Sequence, residues 1–183
     1  MFQNAEYQSI QRIVLSNKPD QDFQEVHREM KELGLDFIID ERIKDLLLQG
    51  YDYEIWTRDM EFIVASKRFL GLTSYSLDQL LTTHWGEMFH RDDLNKTRIV
   101  RAIEKVFKTQ QPQISVTPKH VVQEIASKQK VALEVEVLEI TPFWNHHEDL
   151  NFSGLLAVTK LREIDASEFV SESSGSDKAP LNH

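Results

Sequence analysis

The chain has 183 residues, 40% hydrophobic and 28% charged, enough to bury a core as one soluble domain with some extra structure. Its net charge of −9, with acids spread along the chain, argues against nucleic acid, whose phosphates call for clustered Lys and Arg. There is no cysteine, which excludes disulfides, thiol nucleophiles, iron–sulfur clusters and thiolate zinc sites.

The opening MFQNAEYQSIQR lacks a basic region followed by an apolar core, so no secretory signal is expected. No stretch reaches the roughly 18 apolar residues of a membrane span, and the expected compartment is the cytoplasm. Tyr7 to Leu15 fits a short amphipathic helix, interrupted at SNKPD because Pro19 cannot sit in a helix interior. Asp20 then caps a second helix in which Phe23, Val26, Met30 and Leu33 recur at helical steps, stopped by Gly34. LDFIIDERIKDLLLQG continues the helical pattern with Ile39, Ile43, Leu46 and Leu47 on one face and ends at Gly50. Residues 1–50 are thus expected to be a helical extension with one wet and one apolar face.

After Gly50 the period changes. YDYEIWT and MEFIVAS are short, rich in aromatic and β-branched residues and separated by Arg58-Asp59, which predicts a strand pair. KRFLGLTSYSLDQLLTTHWGEMFH follows as short helical pieces broken at Gly71, Ser74 and Gly86, with Ser76 as a cap. Asp92 or Asp93 caps a longer helix. In it Ile99, Val100, Ile103, Val106 and Phe107 form one stripe, while Arg98, Arg101, Glu104 and Lys105 face water. Pro112 ends it. HVVQEIA, the turn SKQK and VALEVEVLEI predict a hairpin with alternating faces, NHHEDLN a loop, and FSGLLAVTKLREI a last strand. The apolar run Leu155 to Val158 makes that strand central, or covered by the N-terminal helices. From residue 167 to 183 the composition predicts a disordered tail.

Two strands, short helices, one longer helix and three strands, together with GLTSYSLDQLL and WGEMFHRDDL, resemble the PAS domain, a sensory module widespread in bacterial signalling proteins. The resemblance covers about residues 53–164. Thr73-Ser74-Tyr75-Ser76 matches a Gly-Tyr-Ser-type turn, with Ser74 where Gly is usual. His90-Arg91-Asp92-Asp93 matches a His-Pro-Asp-Asp-type turn, with Arg91 in place of Pro. It implies an α+β fold: a five-stranded antiparallel sheet with short helices and one long helix on one face, over residues 51–166 and preceded by the N-terminal helices. It implies a sensory or regulatory role rather than an enzymatic one, in which a small ligand or partner is sensed and the signal leaves through flanking helices. The ligand-binding positions it implies are His84, Trp85, Ile99, Ile103, Phe107, Leu133 and Val135. Two cofactor modes of the family are unavailable. Cysteine-linked flavin or chromophore has no cysteine to use, and no histidine lies from Leu94 to Thr109 to hold haem from the long helix. The cofactor is otherwise unassigned.

Other candidates have simpler readings. His146-His147-Glu148-Asp149 offers four metal-ligand types, but adjacent loop side chains point apart, so a polar loop is expected and no metal site. His84 can contact a polar ligand group, or bond to backbone. Asp92 and Asp93 are caps rather than a catalytic pair. Glu134 and Glu136 face water, unless the N-terminal helices cover them, in which case they need partners. No catalytic residues are assigned, and no Ser-His-Asp ordering, phosphate-binding glycine loop or HExxH motif occurs. The apolar stripe of the N-terminal helices needs a covering surface, which leads to an expected homodimer through those helices. The competing functions are the input domain of a longer kinase or transcription regulator, a ligand-free dimerisation adaptor, and a small-molecule enzyme using His84 or the 146–149 loop.

Overall fold

The computed structural model describes residues 22–32, 35–37, 41–145 and 152–164. In chain order its elements are α1 (Asp22–Glu32), β1 (Leu35–Phe37), α2 (Glu41–Leu48), β2 (Asp52–Thr57), β3 (Phe62–Ala65), α3 (Lys67–Leu72), α4 (Leu77–Thr82) and α5 (Trp85–Met88). There follow β4 (Phe89–His90), α6 (Asp93–Thr109), β5 (Gln113–Ile114), β6 (His120–Glu124), β7 (Ala132–Asn145) and β8 (Phe152–Glu163). The expected helix over Tyr7–Leu15, stripe residues Leu33 and Ile39, the 146–149 loop and the 167–183 tail lie outside the described residues.

All strands pair antiparallel in the order β3-β2-β8-β7-β6-β4. The five strands of the expected sheet are all present, and the fold is PAS-like, α+β, as the resemblance implied. Three short strands add to it. β4 extends the β6 edge, while β5 and β1 pair in turn with the later part of β7, at Gln113↔Ile140 and Phe37↔Phe143. One long edge of β7 is thus satisfied piecewise by β6, β5 and β1, which leaves no extended row of open backbone groups there.

β1 corrects the reading of residues 1–50 as wholly helical. Leu35–Phe37 is a strand because the end of β7, from Phe143 to Asn145, offers it ladder partners that the local helical pattern does not reveal. The chain then turns into α2, which ends with Gly50 at φ 78, a left-handed conformation that glycine adopts without strain.

The sheet is buried on both faces. On the inner one, Trp56, Leu133, Val135, Val137, Leu155 and Leu161 pack against Phe69 of α3, Leu80 of α4, and Ile99, Ile103 and Val106 of α6. On the outer one, Tyr53, Ile55, Leu156 and Val158 pack against Val26 and Met30 of α1 and Ile43 of α2. Strand alternation produces both: odd positions of β8 point in, even positions out. β8 is therefore central and covered as well. Val100 departs from the expected stripe, being 39% exposed.

Gly154 is required where β8 crosses β2 and β7. A Cβ there would run into the Trp56 carbonyl oxygen and the Phe143 ring.

The helix caps follow the sequence. Ser76 and Gln79 form a reciprocal capping box on α4, and Asp92 accepts from Asn95 N–H at 2.9 Å to cap α6. Those hydrogen bonds from Asn95 hold the Asp92 carboxyl below its ordinary range. Gln110, with φ 54, closes α6 two residues before Pro112.

Candidate functional site: a polar cavity inside the sheet

Between the inner sheet face and α6 lies a cavity of about 30 Å³. Most of its wall is apolar: Trp56, Ile99, Ile103, Val137, Ile140 and Leu155 contribute to it. Three polar side chains also line it: Glu54 from β2, Arg91 from the turn after β4, and Thr159 from β8. Strand register explains two of them. Glu54 lies opposite Ala157 and Asp52 opposite Thr159, so acid and hydroxyl come from adjacent rungs on the same face.

Glu54 is only 7% exposed. Burial, opposed by the Arg91 charge and the Trp56 side chain and reinforced by nearby Asp52, raises its carboxyl to about 7. Desolvation acts on Arg91 in the opposite sense, down to about 10, with Glu54 opposing the change. The two attract each other through space, without a direct hydrogen bond between them. Arg91 instead lies over Trp85 at 4.8 Å and over Phe89 at 5.3 Å, and its buried Nε has no hydrogen-bond partner among the described residues. The Thr159 hydroxyl, in a side chain 2% exposed, also lacks a partner among the described residues.

The next acid along β2 behaves differently. Asp52 accepts from the Ser66 hydroxyl at 2.8 Å and faces Arg68 at 3.5 Å. It is a structural tie between β2 and the start of α3.

Met60, Trp85 and Ile103 line both the cavity and a neighbouring outside groove of about 400 Å³, which His84, Lys96 and Val100 also line. Met60 takes a left-handed φ of 61 in the β2–β3 turn, closed by Thr57 N–H donating to the Glu61 carbonyl at 2.9 Å.

Of the positions implied by the resemblance, the structure brings Trp85, Ile99, Ile103 and Val135 to the cavity. Leu133 is buried in the same core but does not line the cavity, and Phe107 packs half-buried on that core. His84 does not line this cavity but the neighbouring groove; it is exposed at the start of α5, where its Nδ1 accepts from the Gly86 N–H at 3.1 Å as a cap. Glu134 lies on the outer sheet face beyond the helices, between Lys119 at 3.3 Å and Arg162 at 3.5 Å. No group of three or more metal-ligand side chains is found among the described residues.

Sequence reading missed Glu54, Thr159 and the role of Arg91. It also missed Glu124, a buried acid that explains the Ser74 departure. Ser74 donates both its N–H and its hydroxyl to Glu124, which also accepts from Ser127 and Val131. Tyr75 of the same turn hydrogen-bonds to the Met88 carbonyl and accepts from Ile125 and Ala126. The motif ties α4 to the far end of β6.

Several solved structures resemble this fold. The PAS-B domain of Drosophila melanogaster Cycle, as a tryptophan-to-alanine variant with bound glycerol, is 12% identical, with TM-score 0.46 over 61% of this chain and 99% of that one. The wild-type domain with bound ethylene glycol is 13% identical, with TM-score 0.45 over 62% and 99%. The light-state LOV domain of the blue-light photoreceptor Aureochrome1 is 18% identical, with TM-score 0.44 over 67% and 90%. These are likenesses of fold. No protein-family model matches the sequence, and no curated protein matches it.

Proposed function

We propose that this chain is a sensory or regulatory PAS-type module that acts in the cytoplasm by binding rather than by catalysis. The cavity at Glu54, Arg91 and Thr159 is its sensing element. The observation that carries this reading is a pair of buried polar atoms in one mostly apolar cavity, Arg91 Nε and the Thr159 hydroxyl, that have no hydrogen-bond partner among the described residues. A buried polar atom without a partner costs roughly 1–3 kcal/mol, more when charged, and a guest in the cavity would recover that cost.

The response leaves through the opposite face of the same strands. Tyr53 and Ile55 flank Glu54 in sequence and pack under α1 and α2, and Arg42 of α2 reaches Glu139 of β7 at 3.0 Å. A guest that moves β2 therefore moves the seat of the N-terminal helices. That region, residues 1–50, is the output of the 51–166 unit in this reading, toward a signalling partner or the remainder of a longer regulator.

A homodimer through these helices fits the same role on a narrower footing. The described stripe residues Val26, Met30 and Ile43 are already buried on the chain's own sheet, so a second copy must use other surface, such as Leu48, which is 77% exposed. Light scattering on the full chain tests it.

Native mass spectrometry of the purified protein tests the sensing role. A retained small molecule of defined mass, or a small polar compound that raises the melting temperature, supports it. A bare chain stabilised by nothing of that size leaves the ligand-free adaptor, the reading that the small cavity volume favours.

A further inference from the structure

We propose that the cavity is a receptor for a short-chain monocarboxylate, its two oxygens bound between the Arg91 guanidinium and the carboxyl of Glu54. This rests on the sensing role of the cavity and names the chemistry it accepts.

Arg91 supplies the first reason. A guanidinium presents planar, forked donors that match a carboxylate, and Arg91 is held by Trp85 and Phe89 while its buried Nε lacks an acceptor among the described residues. Glu54 supplies the second. Raised to about 7, it is largely protonated in mildly acid solution, so it leaves the Arg91 charge uncompensated and donates a hydrogen bond of its own. Thr159 adds a hydroxyl with no partner among the described residues.

Volume and wall set the remaining chemistry. A water needs about 10–15 Å³, so 30 Å³ accommodates a head group and very few carbons. The walls from α6, β7 and β8 are uncharged, so a second anionic group has no partner. The charged groups around the pair are few. Asp52 lies two residues along β2 and is tied to Ser66 and Arg68. His120, lowered chiefly by burial, interacts electrostatically with Arg91 and also with Asp92 and Arg98.

One other guest matches two opposed charges: a small amino-acid zwitterion, its ammonium on ionised Glu54. The two guests differ in pH dependence. A monocarboxylate needs Glu54 protonated and binds more weakly as pH rises through 7. A zwitterion needs it ionised and binds more tightly.

The experiment titrates the full chain with sodium acetate, glycine and acetamide, against sodium chloride at equal ionic strength. Binding is followed by calorimetry and by the fluorescence of Trp85 and Trp56. Acetate is expected to bind one-to-one, about tenfold more weakly at pH 8 than at pH 6, as the protonated fraction of a group near 7 falls. Glu54→Gln should keep acetate binding and lose the pH dependence. Arg91→Lys, which keeps the charge but not the fork, should bind at least tenfold more weakly with an unchanged circular dichroism spectrum. Arg91→Met should abolish binding. Acetate no better than chloride, glycine binding that strengthens with pH, or Arg91→Lys binding acetate as tightly as the natural chain each overturns the proposal. If acetamide binds in place of acetate, the cavity remains a sensing site and only the carboxylate class falls. If acetate, glycine and acetamide all fail, both readings fall.

Discussion

Glu54 and Glu139 are both glutamates buried in one sheet, on opposite faces, each with an arginine in view. Glu139 lies under α2, wholly buried, with the Arg42 Nε at 3.0 Å. It is placed by a register shift between Val137 and Glu139. That irregularity is held from the side by Ser115 N–H donating to the Leu138 carbonyl at 2.7 Å, and by the Thr117 hydroxyl accepting from Val137 N–H at 3.0 Å. Glu54 lies over a cavity, and its arginine is stacked on aromatic rings instead of being hydrogen-bonded to it. The outer pair is a closed contact that seats a helix. The inner pair has no such direct contact, and both of its side chains line a cavity. Burial alone therefore does not define a site; the partner's geometry does.

The most damaging way to break this comparison is at the strand that both faces share. Gly154→Ala drives a methyl group into the Trp56 backbone and the Phe143 ring, and should cost more than about 4 kcal/mol, read as loss of a cooperative melt. A soluble, normally melting variant would show that β8 crosses its neighbours less closely than described.

Next in size is Glu54. Its folded-state value lies above the unfolded one, so wild-type stability should fall as pH rises from 4.5 to about 7 and level off beyond. Glu54→Gln removes that loss. It should stabilise the protein by up to about 3 kcal/mol at pH 8 and by little at pH 4, measured by urea unfolding at both values. Equal effects at the two pH values would place Glu54 in a more solvated environment.

Arg42→Ala sharpens the contrast from the other face. Since Arg42 is half exposed, water can replace part of its role, and the loss should be about 2 kcal/mol, below the 3–5 typical of a fully buried pair. Hydrogen exchange should quicken in α2 while acetate binding stays unchanged.

The smallest effect serves as a control remote from both acids. Ser76→Ala removes one half of a capping box and should cost about 1 kcal/mol at every pH, by thermal melt.

Much of the architecture could be read from local pattern. The strand pair around Arg58-Asp59, the Ser76 cap, the α6 stripe and the β6–β7 hairpin all rest on neighbours in sequence. β1 could not, because its ladder partner lies more than a hundred residues away, and the spacing of Ile39, Ile43 and Leu46 extended a helical period across it. The site was half legible. The resemblance supplied the apolar wall at Ile99, Ile103 and Val135. The polar groups were hidden because YDYEIWT looks like an ordinary two-faced strand until both of its faces are covered. The visible clue was Arg91, standing where the family motif has proline: a charged, donor-rich side chain in a position that ordinarily carries none.

The piecewise edge of β7 has a consequence for how the protein is made. Its partners span the described chain, from Leu35 in β1 to Glu163 in β8. As the chain leaves the ribosome, β1 and β2 are complete long before β7 and β8 exist to receive them. At roughly 5–20 residues per second, the intervening hundred residues take about 5–20 seconds. Throughout that interval Val26, Met30 and Ile43 have no sheet to lie on, so the nascent N-terminal segment presents an apolar face to whatever binds such faces in the cell. Val26, Met30 and Ile43 can therefore reach their final packing only after Leu156 and Val158 of β8 have been made.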